Sequence, residues 1–122
     1  MKQFLIVFIG GGCGSALRFL ISKYLNDYTG FPFGTFCANI LGSLLLGLVL
    51  GFALKTNSLS TNTTLLLTTG FCGGFTTFST FMYENQVFLK SGEFALFVLY
   101  AISSFAVGIL SVFFGLWLMK TI

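Results

Sequence analysis

The chain has no histidine, three acidic residues (Asp27, Glu84 and Glu93), one proline and only 7% charged residues in a length of 122. Each shortage excludes something. General acid–base catalysis and most protein metal sites draw on His, Asp, Glu and clustered Cys, so an enzyme is not expected. A soluble domain carries roughly 25% charged residues, and so few charges cannot cover a water-facing surface. The six Lys and Arg are spread out with no basic cluster, so nothing here points to nucleic acid. The three cysteines, Cys13, Cys37 and Cys72, are odd in number, far apart, and set in or beside apolar segments. They read as small packing residues, not as a disulfide or a metal site.

What is present is apolar sequence: 56% hydrophobic residues and a mean hydropathy of +0.98. A bilayer core is roughly 30 Å thick and needs about 20 helical residues per crossing. Four crossings fit the length, at about residues 3–24, 34–54, 65–89 and 94–119. A membrane β-barrel would alternate over about ten-residue segments, and these runs do not alternate. Lys2 followed by an apolar stretch over 4–9 has the look of a signal peptide. That stretch is short, and cleavage near Ser15 would leave three spans, so it reads as a retained first helix. Asn26, Asp27, Thr29, Gly30 and Pro32 make one loop, 55–64 a second, and Ser91, Gly92 and Glu93 a turn. No linker or low-complexity tail appears, so 1–122 reads as one all-α transmembrane domain. In the second span Gly47 and Gly51 stand four apart, the spacing that lets helix backbones approach in a membrane.

With an even number of spans, Lys2, Lys55 and Lys120 fall on one side and Arg18, Lys23 and Lys90 on the other. Lys and Arg bias normally sets orientation, and here there is almost none. This is either chance in a chain with few charges, or the mark of one that inserts both ways up and pairs antiparallel with itself.

The third span is the unusual one. Gly73 and Gly74 precede Thr76, Thr77, Ser79 and Thr80, and that composition weakens a helix. Backbone carbonyls freed at membrane depth must be satisfied by protein, water or an ion, so Gly73–Gly74 reads as a break between two half-helices. Exposed carbonyls there suit a hard cation such as Na⁺; a packing kink is the other explanation. Beyond it, Thr76, Thr80 and Glu84 fall on one helical stripe, and Phe75, Phe78, Phe81 and Phe88 on an adjoining one. The second span holds Asn39, a costly amide in lipid unless hydrogen-bonded. Arg18 either snorkels to the interface or faces an aqueous vestibule and draws anions in. The embedded polar groups are mostly neutral donors: Asn39, Thr76, Thr77, Ser79, Thr80 and Ser103 or Ser104. Donors with aromatic ring edges suit a small, strongly hydrated anion, and the residues alone do not separate fluoride from chloride.

Three strings carry a further reading. They are Gly11-Gly12-Cys13-Gly14-Ser15-Ala16-Leu17-Arg18-Phe19; Pro32-Phe33-Gly34-Thr35-Phe36 leading to Asn39 and Gly42-Ser43; and Gly70-Phe71-Cys72-Gly73-Gly74-Phe75-Thr76-Thr77-Phe78-Ser79-Thr80-Phe81 with Glu84. In order and spacing they make the chain similar to the Fluc/CrcB fluoride channels over essentially its whole length. The resemblance implies an antiparallel, dual-topology homodimer in the cell membrane, with two pores at the subunit interface that pass fluoride outward down its gradient. It implies a central Na⁺ on the backbone carbonyls of Gly73 and Thr76. It implies pore roles for Phe78, Phe81, Asn39, Ser79, Thr80 and Tyr100, a vestibular acid at Glu84, and the first-span arginine at Arg18. The family's polar residue in the fourth span falls near Gly108, with Ser103, Ser104 and Ser111 as candidates. A paired, non-identical subunit is the alternative to a homodimer. Two other functions are carried beside this one. A small multidrug-resistance-type exporter would need an embedded acid in the first span, where this chain has Arg18. A non-transporting membrane subunit would gain nothing from a hydroxyl track and a helix break.

Overall fold

The computed structural model describes residues 1–26 and 30–122; Asp27 and Thr29 of the first loop lie outside the described residues. Helices α1 (Lys2–Leu25), α2 (Phe33–Thr56) and α6 (Phe94–Thr121) are each long and apolar enough to cross a membrane. Continuous helix is what lipid demands of them, because no water is there to satisfy a free backbone group. The third pass is in pieces. It runs through α3 (Thr61–Leu65), a π-helical stretch Leu66–Cys72 and α4 (Gly73–Phe75), then resumes as α5 (Phe78–Lys90). No strand occurs among the described residues.

The break is not at the glycine pair. Gly73 keeps helical dihedrals, φ −62° and ψ −37°. The chain leaves the helix at Thr76 (φ −83°, ψ 157°) and Thr77 (φ −148°, ψ 120°). Thr76 closes the last turn by bonding Cys72 O twice, from its amide and from its hydroxyl, each at 2.9 Å. Thr77 then caps the new helix, its Oγ1 accepting from Thr80 N at 3.2 Å. The glycines serve close approach instead. A Cβ on Gly74 would collide with the Gly11 carbonyl oxygen, and one on Gly10 would lie 2.6 Å from Leu66 O. The extended pair also takes Thr76 off the helix that carries Thr80 and Glu84. The phenylalanines divide likewise: Phe75, Phe81 and Phe88 are buried, while Phe78 is 67% exposed.

Two glycine seams hold the passes together. α1 packs on the π stretch and α4 through Gly10, Gly14 and Gly74, and α2 packs along α6 through Gly47, Gly51 and Gly115. An aromatic cluster closes one end of the molecule. Tyr100, fully buried, takes Phe31, Phe81 and Phe88 edge-on at 5.1, 4.9 and 6.1 Å between ring centroids, the arrangement ring quadrupoles favour. The turn from α5 into α6 uses Gly92 at φ +76°; Gly92 N bonds Leu89 O at 3.3 Å and Glu93 N bonds Phe88 O at 2.9 Å. These are the paired bonds of a Schellman cap. Elsewhere the helices turn apolar faces outward, with Phe8 and Ile9 on α1 and Leu99, Ile102, Phe113 and Trp117 on α6 all exposed.

Candidate functional site

The last carbonyls of a helix have no partner within it. Here each is dealt with differently. In an unbroken helix Gly73 O would receive Thr77 N–H, but that amide donates to Asn39 Oδ1 at 2.7 Å. Thr76 O would receive Thr80 N–H, which donates to Thr77 Oγ1. Gly74 O is taken by Ser15 Oγ at 3.2 Å and Arg18 Nε at 3.1 Å, both from α1. So Gly73 and Thr76 lose their usual amide donors, while the Gly74 carbonyl is held twice.

Asn39 projects from the second turn of α2 and clamps the break with both ends of its amide. Besides accepting from Thr77 N, its Nδ2 donates to Thr77 O at 3.1 Å. One N–H of that NH₂ remains for another acceptor. A groove of about 450 Å³ opens between α2, the break and α6, with Asn39, Gly73, Thr76, Thr77, Phe81 and Ser104 among its lining residues. A Cβ on Gly73 would meet Thr68 O at 3.8 Å, an ordinary contact. Phe78 also lines the groove, its ring 6.2 Å from that of Phe81. In the fourth pass Ser103 Oγ donates to Tyr100 O and Ser111 Oγ to Val107 O, whereas Ser104 Oγ is buried with no partner. Gly108 lines the groove without a side chain to offer.

The remaining candidate residues, Ser79, Thr80, Glu84, Tyr100 and Arg18, are not among those lining that groove. Thr77, Ser79 and Thr80 form a hydroxyl cluster on the first turn of α5, with Thr77 Oγ1 within 3.4 Å of Ser79 Oγ and 3.1 Å of Thr80 Oγ1. Glu84, two turns on from Thr77, accepts from Thr35 Oγ1 at 2.6 Å through one oxygen and from Tyr100 OH at 2.7 Å through the other. A second hollow of about 210 Å³, lined by Asn26, Gly30, Pro32, Glu84 and Phe88 among others, borders that carboxylate. Arg18 is on the α1 side of the break.

Two residues escaped the reading of the sequence as site residues. Thr35 is fully buried, donates to Glu84, and receives Asn26 Nδ2 at 3.4 Å. Ser15 shares the Gly74 carbonyl with Arg18. Both stand in strings quoted above, but a Thr in a helix's first turn and a Ser beside glycines carry no local sign of a distant partner.

The site juxtaposes two kinds of group. The N-terminus of α5 carries the positive end of a helix dipole, which favours anions, and the freed carbonyls favour a hard cation. A polytopic helical membrane protein with such a discontinuous pass belongs to the class that handles ions at membrane depth. The family model described as "CrcB-like protein, Camphor Resistance (CrcB)" matches residues 5–116. The chain is 47% identical over 120 residues to the fluoride-specific ion channel FluC of Phocaeicola vulgatus, covering 97% of this chain and 98% of that one. It is 48% identical over 121 residues to the FluC of Chlorobaculum tepidum, covering 98% and 96%, and 43% identical over 120 residues to that of Bacteroides fragilis, covering 94% of each. The chain belongs to the CrcB family.

Proposed function

We propose that the chain is a fluoride-selective channel of the cell membrane, through which fluoride leaves the cell passively. The observation that carries this is the groove at the break, where unoccupied donors and freed carbonyls meet at membrane depth. Fluoride is small and strongly hydrated, and it gives up water only where hydrogen bonds replace it. The remaining N–H of Asn39 and the partnerless hydroxyl of Ser104 are such donors. The rings of Phe78 and Phe81 border the same groove, and aromatic edges carry positive potential. The names of the relatives, fluoride-specific ion channels, support the same anion.

The working unit in this reading is two copies packed antiparallel, with two pores. The near-equal charge on the two sides supports insertion in both orientations, and the open groove leaves a face for the second copy. Ser79, Thr80 and Tyr100 extend the polar lane from the groove toward Glu84, whose carboxylate is held at the vestibule by Thr35 and Tyr100. The fit to Na⁺ rests on Gly73 and Thr76, whose carbonyls have lost their helical donors; these two would hold it. A bound Na⁺ would supply a fixed positive centre beside the break.

The test is fluoride efflux from liposomes containing the purified chain alone, read with a fluoride electrode, with chloride as the control ion. Rapid fluoride efflux with little chloride movement is expected. Efflux of both ions at similar rates contradicts selectivity, and no efflux of either contradicts a self-sufficient channel.

A further inference from the structure

We propose that Arg18 is a positioning residue: it acts through its Nε–H on the Gly74 carbonyl, which fixes the broken pass, and not through its charge on the permeating anion. The inference rests on the reading of the break as the conduction site.

Three observations lead there. The guanidinium bonds the backbone of the pass that breaks, with Arg18 Nε 3.1 Å from Gly74 O across 56 residues of sequence. Ser15, one turn earlier on α1, bonds the same oxygen at 3.2 Å. Two donors from one helix on one carbonyl fix it in direction as well as distance. The contact beneath them is backbone on backbone, since a Cβ on Gly74 would collide with the Gly11 carbonyl. α1 and the end of α4 therefore move as one body at this point, and that body carries Gly73 and Thr76.

The charge has another use. Gly74 stands in the last turn before the extended pair, at the negative end of the helical run that began at Thr61. A cation at a helix C-terminus is stabilised by the dipole and the unpaired carbonyls. The Arg18 charge is thus partly offset where it sits, which weakens any pull on an anion in the groove.

Side-chain geometry makes the two roles separable. The amide nitrogen of glutamine stands the same number of bonds from the backbone as Nε of arginine, so R18Q keeps a donor for Gly74 and loses the charge. R18K keeps the charge but sets its nitrogen one bond farther out, and R18M keeps the apolar stem alone. Fluoride efflux is measured for all three full-length chains in liposomes, together with hydrogen exchange of the backbone amides over residues 73–78. For R18M the expected result is an efflux loss of about tenfold or more, the scale of a lost hydrogen bond from a charged donor, with faster exchange at the break. R18Q is expected within about threefold of the parent with near-parent exchange, and R18K below R18Q. Efflux kept by R18K and lost equally by R18Q and R18M would overturn the proposal in favour of charge. Parent-like efflux and exchange in R18M would overturn it altogether.

Should the Arg18 variants fail to assemble, S15A carries the test, because it removes the second donor and leaves the arginine in place. Faster exchange at 73–78 with reduced efflux supports positioning; no change in either contradicts it. A parent chain that carries no fluoride would sink the channel reading, and the exchange data alone would then decide the role of Arg18.

Discussion

Between α2 and α6 a Cβ on Gly47 would collide with the Val112 carbonyl, and one on Gly115 would lie 2.7 Å from Leu44 O. Between α1 and the third pass Gly10, Gly14 and Gly74 allow the same closeness. The first seam joins two unbroken helices through apolar contact. The second joins an unbroken helix to a broken one, and there Ser15 and Arg18 add hydrogen bonds to a stranded carbonyl. In lipid there is no hydrophobic drive between helices, so closeness must come from small residues and van der Waals contact. Closeness alone does not fix where a carbonyl points. The α2–α6 seam sets stability, and the α1 seam together with the Asn39 clamp sets the geometry of the break.

Substitutions at the two seams should therefore fail differently. Gly115→Leu is expected to have the largest effect, a loss of folded protein in detergent. Its side chain would enter the Leu44–Leu48 backbone, and overpacking of even a tolerant core costs about 1–3 kcal/mol. A melting curve like the parent's would show that the seam can open. Asn39→Asp is expected to leave the melting curve close to the parent's and cut fluoride efflux by more than about tenfold. It loses the donor to Thr77 O and sets a fixed negative charge in the groove; normal efflux would remove Asn39 from the site. Phe81→Ile should do some of both, because Phe81 is 4% exposed and packs on Tyr100 at 4.9 Å. A stability loss of about 1–3 kcal/mol is expected with reduced efflux. Phe78→Ile should reduce efflux with almost no stability change, since that ring is mostly exposed. If both phenylalanine variants conduct normally, the ring edges play no part. Glu84→Gln should have the smallest effect, about 1 kcal/mol or less of stability and an unchanged fluoride-to-chloride ratio, because its partners Thr35 and Tyr100 are hydroxyls that can turn to meet an amide. A changed ratio would move Glu84 into the filter.

The long helices were legible in the sequence because each follows a single apolar run. That the third pass breaks was legible too, from glycines and hydroxyls packed into a few positions. Where it breaks was not. The extended pair is Thr76–Thr77 because Asn39, from another helix, captures the Thr77 amide, and a contact across 38 residues leaves no trace in local composition. The same limit hid Ser15 and Thr35, whose roles exist only through partners far along the chain. Placing the break at Gly73–Gly74, with one helix beyond it, also put Phe75, Phe78, Phe81 and Phe88 on one stripe. The two extended residues re-aim α5 relative to α4 and turn Phe78 outward.

The central claim is that fluoride crosses at the groove beside the break. It is tested most directly by fluoride and chloride efflux from one preparation of liposomes, parent chain and Asn39→Asp side by side, with the folded state of both checked by gel filtration. The account predicts fast fluoride and slow chloride efflux for the parent, and loss of fluoride efflux in a variant that elutes like the parent. Equal fluoride efflux from two equally folded proteins would contradict it.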